Sequence, residues 1–380
     1  METLRILWLN HRDPKHPQAG GSEVHLWEVS KRIAALGHEV TILCEKPKGV
    51  PEHETLRNIN IYRAGGKTSV YPHSFWRYIR RFTGKCDLVV DDIAHAVPWF
   101  TPLYVKEPVV AIVHHIHREI LDFELPFPLS RFARAAEQSI PKIYKNAQFV
   151  TVSESTKNEL IKLGIPPEKV KVTYLGINHN LYKPAWQSKA SFPCVLCLGR
   201  IKRYKNIDHV IEAMGLAVKK VPDAKLIIAG KADEDVAKSL EYRIKALGLE
   251  SNIEFHKSVP EEEKIRLLQE AWVCVTASRK EGWGLTVIEA AACGTPTVAY
   301  NVPGLRDSII NSETGLLAPF GNIRTLSEMI AMVLTDGSLR LRLSQKAADW
   351  SSQFSWDNTA IQTLEAFNSA VNKRELNDCL

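Results

Sequence analysis

The sequence predicts an α/β protein of two doubly wound domains, each a parallel sheet with helices on both faces. Three observations predict it. At 380 residues the chain exceeds what one hydrophobic core usually serves. Short apolar runs alternate with helical periodicity throughout, and strands without polar alternation are those buried on both faces. A polar segment, GINHNLYKPAWQSKASFP, follows neither period, is broken by Pro184 and divides the series. Domains are therefore expected at residues 1–180 and 193–355, two lobes with a cleft between them.

In the first half RILWLN, EVTILC, NINIY, CDLVV, PVVAIV, QFVTVS and VKVTYL read as strands, and SEVHLWEVSKRIAALG as the helix after the first of them. In the second half CVLCLG, AKLIIAG, NIEFH, WVCVTAS, TPTVAY and GLLAP continue the series. Ligands of such sheets bind beyond the carboxyl ends of the strands, so the strand exits are where chemistry is sought.

Composition excludes several classes. With 45% hydrophobic and 24% charged residues the chain is neither disordered nor membrane-spanning, and no apolar run approaches the roughly 20 residues a spanning helix needs. METLRILWLN lacks the basic and small-residue features of a signal peptide, and seven cysteines set mostly in apolar runs read as reduced. A cytoplasmic protein is expected. Cys194 and Cys197 form a C-x-x-C that reads as strand packing rather than redox or metal chemistry. The net charge of +6 is modest and no nucleic-acid partner is expected. Residues 1–178 hold 24 Lys+Arg against 19 Asp+Glu, and the remainder 25 against 24. The densest basic stretch is HSFWRYIRRFTGK, where Arg77, Arg80, Arg81 and Lys85 interleave with Phe75, Trp76, Tyr78 and Phe82. It reads either as a solvated helix with its aromatics on the core or as a peripheral contact with an anionic membrane or a phosphorylated acceptor.

Within KEGWGLTVIEAAACGTPTVAY, a strand exit runs into the helix LTVIEAAAC, stopped by Gly294. The first amides of a helix lack intrahelical partners and face a positive dipole end, so Gly282, Gly284 and Leu285 can offer N–H groups to an anion. Ala290–Ala292 permit close packing on a sheet, and Thr286 and Glu289 share a helix face toward the strand ends. Carboxylates repel phosphate, so Glu281 and Glu289 are suited to hydroxyls instead. The matching cations follow CVLCLG, where Gly199 and Arg200 precede Lys202, Arg203 and Lys205. Arg200 can fork onto a phosphate and Lys205 can add a point charge. A ligand carrying both phosphates and hydroxyls is implied.

The run G-R-x-x-x-x-K-N, followed by E-G-W-G-L-x-x-I-E-A-x-A-x-G-x-P, resembles the retaining glycosyltransferases of family four over nearly the whole chain, with AGGSEVH near the start and FSWDNTAIQTLEAF near the end. The resemblance implies the GT-B architecture, a nucleotide-sugar donor, UDP- or GDP-linked, and a C-terminal helix, 356–380, bracing the first domain. It implies that Arg200 and Lys205 clamp the donor diphosphate, that Glu281 binds hydroxyls of the transferred sugar, and that Glu289 holds the ribose. Gly199 and Trp283 fall in the same donor-binding set, and Gly20 and Gly21 would approach the donor from the first domain in a glycine-permissive turn.

In VVAIVHHIHREI the family pattern favours His114 as a donor-sugar contact, and His115, Arg118 and Glu119 fall on the acceptor side. No cofactor and no metal is expected: His115 and His117 lack a completing ligand, and Asp91-Asp92 reads as structural. Lipid-linked sugars, cell-surface glycan precursors and small metabolites remain open as hydroxyl acceptors. Other readings are an epimerase or phosphorylase sharing the two-domain cleft, or a two-lobed sugar-binding protein. A dinucleotide oxidoreductase fits less well, since GGSEVH is not G-x-G-x-x-G.

Overall fold

The computed structural model describes residues 3–378, so Cys379 and Leu380, the last two residues of the expected C-terminal helix, lie outside the described residues. The chain divides into two compact units, residues up to Gly176 together with those from Trp356 onward, and Ile177–Ser355.

The first unit holds β1 (Arg5–Leu9), β2 (Glu39–Cys44), β3 (His53–Leu56), β4 (Ile59–Arg63), β5 (Leu88–Ile93), β6 (Val109–Val113), β7 (Gln148–Thr151) and β8 (Val170–Val172). They form one sheet in the order β3-β4-β2-β1-β5-β6-β7-β8. Seven of these strands are the expected apolar runs, and each neighbouring pair among them is parallel. The eighth, β3, is antiparallel to β4, so this sheet is not wholly parallel as expected. Arg57 and Asn58 both take positive φ (47° and 64°) between β3 and β4, the signature of a tight hairpin turn. HETL has no fully buried position, and an edge strand without a core face leaves no apolar run to read.

The second unit holds β9 (Cys194–Leu198), β10 (Lys225–Ala229), β11 (Ile253–His256), β12 (Val273–Thr276), β13 (Thr297–Tyr300) and β14 (Gly315–Ala318). Their order is β11-β10-β9-β12-β13-β14, and every pair is parallel. The order reverses between β9 and β12, as it does between β1 and β5 in the first unit. At such a reversal the crossovers on either side run away from each other, and a crevice opens beyond the strand ends.

Two features differ from the expected boundaries. Residues 177–180 belong to the second unit rather than the first, and the polar segment after them packs there too. The Ala190 N–H donates to the Glu270 carbonyl (2.9 Å), Trp272 Nε1 donates to the Ala190 carbonyl (2.8 Å), and Lys189 Nζ donates to the Ala271 carbonyl (2.8 Å). The six cysteines among the described residues are buried and unbridged. Burial pushes the Cys194 and Cys197 thiols up to about 12, the opposite of a reactive thiol.

The core of the first unit is closed by its last helix, Trp356–Asp378, which packs on the helix Gly21–Ala35. Phe367 is fully buried and meets Trp8 of β1 edge-to-face at 5.7 Å, within a cluster that includes Leu26, Val29, Ile33 and Leu364. Thr359 Oγ1 donates to the Tyr174 carbonyl at 2.8 Å, tying the helix start to the exit of β8. Truncating a buried phenylalanine removes both its transfer free energy and the packing around it. Phe367→Ala is therefore expected to destabilise the first unit by about 3–5 kcal/mol, read as a lower denaturation midpoint.

Candidate active site

The reversal between β9 and β12 places two exit loops side by side, and the residues singled out in the second half lie on them. After β9 come Gly199 and the exposed Arg200, then Lys205 at the end of a 3-10 turn, Arg203–Lys205, that leads into the helix Ile207–Ala217. After β12 come Ser278, Glu281 and Gly282, and the helix Leu285–Ala292 begins with Gly284 as its N-cap at φ 82°. Lys205 Nζ donates to Glu281 Oε1, and Ser278 Oγ donates to the same oxygen at 2.7 Å. Both partners of the ion pair are mostly buried, with side chains 18% and 19% exposed. Burial disfavours the Lys205 ammonium, but the Glu281 carboxylate more than offsets this and holds its pKa above the ordinary value. The ammonium therefore stays charged, and it senses the Arg200 guanidinium nearby.

Glu281 is held in place by its backbone as well. Its N–H donates to the Pro303 carbonyl at 3.2 Å. A Cβ on Gly304 would lie 2.3 Å from the Glu281 carbonyl oxygen, and Gly304 sits at φ 80°. Both the clash and the dihedral demand glycine there. Gly304 was not singled out from the sequence; the only trace is a Pro-Gly pair after a strand.

Glu289 lies one turn further along the helix from Leu285 and Thr286 and faces a different neighbourhood. It accepts from Lys264 Nζ at 2.9 Å, and Lys264 also lies over the Tyr182 ring at 5.0 Å. Burial raises the Glu289 pKa against the pull of Lys264. Trp283 differs from its expected place in the donor-binding set: its indole is 1% exposed and packs edge-to-face on Phe354 at 5.1 Å. The amides at Gly282, Gly284 and Leu285 remain at the helix entrance, where the first N–H groups have no intrahelical partner.

In the first unit the β1–β5 reversal gathers a second set. Gly20 caps the helix Gly21–Ala35, and its N–H donates to Glu23 Oε2 at 2.6 Å. The glycine-permissive turn expected there is not what the backbone shows. Gly20 is extended (φ −147°), and a Cβ at Gly21 would meet nothing within 4 Å. Gly21 is thus not required to be glycine by the protein's own packing, and the Gly20 dihedrals are open to other residues.

His114 leaves β6 with its ring 3.1 Å (Nε2) from Asp92 Oδ1, the other carboxylate oxygen of which accepts from Trp8 Nε1 at 3.0 Å. The fully buried His25 ring stands edge-on to His114, their centroids 5.2 Å apart. Among the described residues the grouping with metal-ligand character is this one, His25, Asp92 and His114, whose ligand atoms lie within 4.8 Å of one another. It is not built on His115 and His117, whose rings lie 4.1 Å apart at a tilt of 37° beyond the strand. Arg118 and Glu119 are exposed, and Glu137 accepts the His117 and Arg118 amides at 2.6 and 3.1 Å. Asp91 is structural: it accepts from Thr101 Oγ1 at 2.7 Å and from Tyr144, pinning the loop after β5. Lys264 and His25 were not read from the sequence, because each acts through a contact between segments far apart in it, Asp92 was read only as structural, and Ser278 was not singled out although it stands three residues before Glu281.

These features define a GT-B glycosyltransferase, and comparison with known proteins places it more closely. Residues 19–181 match the family described as Glycosyltransferase Family 4, and residues 179–350 the family described as Glycosyl transferases group 1. The chain is 26% identical over 407 residues to D-inositol 3-phosphate glycosyltransferase of Corynebacterium aurimucosum, covering 96% of this chain and 94% of that protein. Sucrose-phosphate synthase of Thermosynechococcus elongatus shares the fold at TM-score 0.82 and 22% identity, over 96% of this chain and 98% of that one. So does HepE of Anabaena, solved with UDP-glucose, at TM-score 0.77 and 19% identity, over 96% and 100%. The chain belongs to the family 4 glycosyltransferases.

Two buried groups of the first unit set opposite pH dependences. His11, with Nε2 2.6 Å from the Tyr71 hydroxyl, is pushed down to about 3 by burial and by the Arg12 charge. A depressed histidine contributes stability fully present above its ordinary 6.5 and lost as pH falls toward about 3. Asp91, raised by burial to about 6, works the other way: stability rises as pH falls from about 6 to the ordinary 3.8. Between about pH 7 and about pH 5, wild type is expected to lose about 2 kcal/mol more than His11→Gln, measured from paired urea curves.

Proposed function

We propose that this glycosyltransferase moves a hexosyl group from a nucleoside-diphosphate sugar, UDP- or GDP-linked, to a hydroxyl acceptor, with retention and without a metal ion. The observation that carries the reading is the Lys205–Glu281 pair at the β9–β12 reversal, with Arg200 exposed on the same exit loop. Cations with unpartnered helix amides suit a diphosphate, and the partly exposed carboxylate among them suits sugar hydroxyls. The UDP-glucose bound in HepE and the inositol phosphate in the name of the corynebacterial relative support a nucleotide-sugar donor and a polar acceptor. Membership of a glycosyltransferase family favours transfer over epimerisation or binding alone.

In this reading the bond between the anomeric carbon and the donor phosphate oxygen breaks as the acceptor oxygen bonds to the same carbon from the same face. The acceptor's proton passes to the departing phosphate. Negative charge builds on the leaving diphosphate, and donors already aimed at it contribute most to the rate. Arg200 and Lys205 take that role, with the amides of Gly282, Gly284 and Leu285, and Thr286 and the turn at Gly199 beside them. Glu281 holds hydroxyls of the transferred sugar, and Glu289 the ribose once Lys264 shares it. His114 contacts the sugar near the reacting carbon, and the Gly20-Gly21 turn leaves room for close approach of the donor. His115, Arg118 and Glu119 belong to the acceptor side. The acceptor is a lipid-linked or cell-surface glycan precursor made at the cytoplasmic face of a membrane.

Thermal melts with UDP-, GDP- and ADP-sugars test the donor: a ligand at 100 times its Kd stabilises by about 2.7 kcal/mol. A UDP- or GDP-sugar is expected to raise the wild-type midpoint, with the rise reduced in Arg200→Ala and Lys205→Ala and turnover on the order of 100-fold or more lower. Wild-type turnover in both variants sinks the assignment.

Stereochemistry and metal dependence are read in one further experiment. Proton NMR of the first product is expected to show the donor's anomeric configuration, at a rate unchanged by chelator. An inverted product refutes retention. Activity lost to chelator and restored by a divalent ion moves the chemistry to His25, Asp92 and His114.

A further inference from the structure

The helix Val70–Arg77 runs directly into a π-helix, Tyr78–Phe82, closed by the Thr83 N–H on the Tyr78 carbonyl at 3.1 Å. Single π turns inside helices are rare and cluster at functional positions. The inward side of this element is settled: Val70, Ser74 and Tyr78 are buried, and Tyr78 donates to Glu107. The outward stripe is His73, Trp76, Arg77, Arg80 and Arg81, which together with Pro72 line a hollow of about 410 Å³. The aromatics thus divide between the two expected readings. Tyr78 serves the core, whereas Trp76 is 55% exposed and stands among the arginines.

The charges of this stripe are not internally neutralised. Arg77, Arg80 and Arg81 make no ion pair among the described residues. Arg77 lies over the Tyr62 ring at 5.0 Å and Arg80 over the Trp76 ring at 5.7 Å. The carboxylate that senses Arg77 is Glu52, and Lys46 already binds it at 3.0 Å. Beside the arginines, Ile79 is 41% exposed. No helix among the described residues is long and apolar enough to cross a membrane.

We propose that this outward face docks on an anionic lipid bilayer, the three arginines on headgroup phosphates and Trp76 and Ile79 entering the interfacial layer. Charge complementarity names the partner: unpaired guanidiniums on one stripe meet several phosphates at once, as a surface of anionic lipid presents them. The apolar part chooses a bilayer over a soluble phosphate. A free anion gives Trp76 and Ile79 nothing to bury in, whereas tryptophan at a membrane interface keeps its ring in apolar surroundings and its N–H wet. The proposal rests only on the first unit and stands apart from the donor reading.

Co-sedimentation of the full chain with vesicles tests it. Binding is expected to vesicles containing phosphatidylglycerol, to weaken with salt, and to be absent from pure phosphatidylcholine. The triple variant Arg77→Ser, Arg80→Ser, Arg81→Ser is expected to lose affinity on the order of 100-fold, from about 1 kcal/mol per basic residue. Trp76→Ala is expected to weaken binding while leaving its salt dependence in place. Unchanged melting midpoints in both variants establish that they fold. Undiminished vesicle binding by the triple variant, or equal binding to both kinds of vesicle, overturns the proposal. So does stabilisation by inorganic phosphate without any vesicle binding, which makes the hollow a soluble-anion pocket.

Discussion

The constraint on which the rest depends is the reversal of strand order between β9 and β12. Two parallel neighbours whose crossovers depart in opposite directions leave their carboxyl ends unroofed, and both exit loops must finish there. Lys205 and Glu281, 76 positions apart in sequence, meet because β9 and β12 are neighbours. The approach is tight on the other flank as well. A Cβ on Gly230, at the end of β10, would lie 1.9 Å from the Gly199 carbonyl oxygen, so the exits of β9 and β10 can lie this close only with glycine at 230. The cations after β9 are thus set by backbone packing before any side chain chooses a rotamer.

Buried polar pairs do the comparable work in the first unit, and they are better understood as positioning devices than as sources of stability. Arg63 and Asp13 are both fully buried and ion-paired, joining the loop after β1 to the end of β4. Removing two charges from water costs nearly what their attraction returns, so such a pair contributes little net stability, while loss of one partner is costly. Asp91 and Asp92 act alike from adjacent positions on β5. Successive side chains on a strand point to opposite faces, so one carboxylate pins the Thr101 loop while the other reaches Trp8 and His114.

The sequence showed the strands well because ten of the thirteen expected runs are interior strands, where burial on both faces removes polar alternation, and the three at sheet edges, β8, β11 and β14, each keep a buried apolar residue. It missed β3 because that edge strand has no buried side, and it misplaced residues 177–180 because polar segments that pack through backbone bonds leave no period. Of the candidate site, what was legible was residue type at a strand exit: Lys205 and Glu281 meet there, with Arg200 on the same loop as Lys205. The site was not legible where a residue acts by filling or vacating space. Trp283 belongs to a functional motif yet packs on Phe354, and Gly304 belongs to none yet sets the Glu281 backbone. The π turn at Tyr78–Phe82 was equally invisible, since an amphipathic pattern of this length fits either helix.

The two reversals are electrostatically unlike, and the contrast bears on which of them holds an anion. At β9–β12 the groups are an exposed guanidinium, a lysine whose charge its neighbour reinforces, and the start of a helix. At β1–β5 burial holds His11 and His25 below the ordinary histidine range and lifts Asp91 to about 6, and the Arg12 and Arg63 guanidiniums are already paired with Glu45 and Asp13. Neutral rings and internally bonded carboxylates offer hydrogen bonds and stacking without net charge, which suits hydroxyls and sugar faces more than phosphate. A diphosphate carried into the first unit would lose its hydration to groups that cannot neutralise it, whereas in the second unit it meets charges already separated from water and aimed. The division of charge between two sheets of like topology is therefore a physical reason to seat the nucleotide in the second unit, independent of any motif.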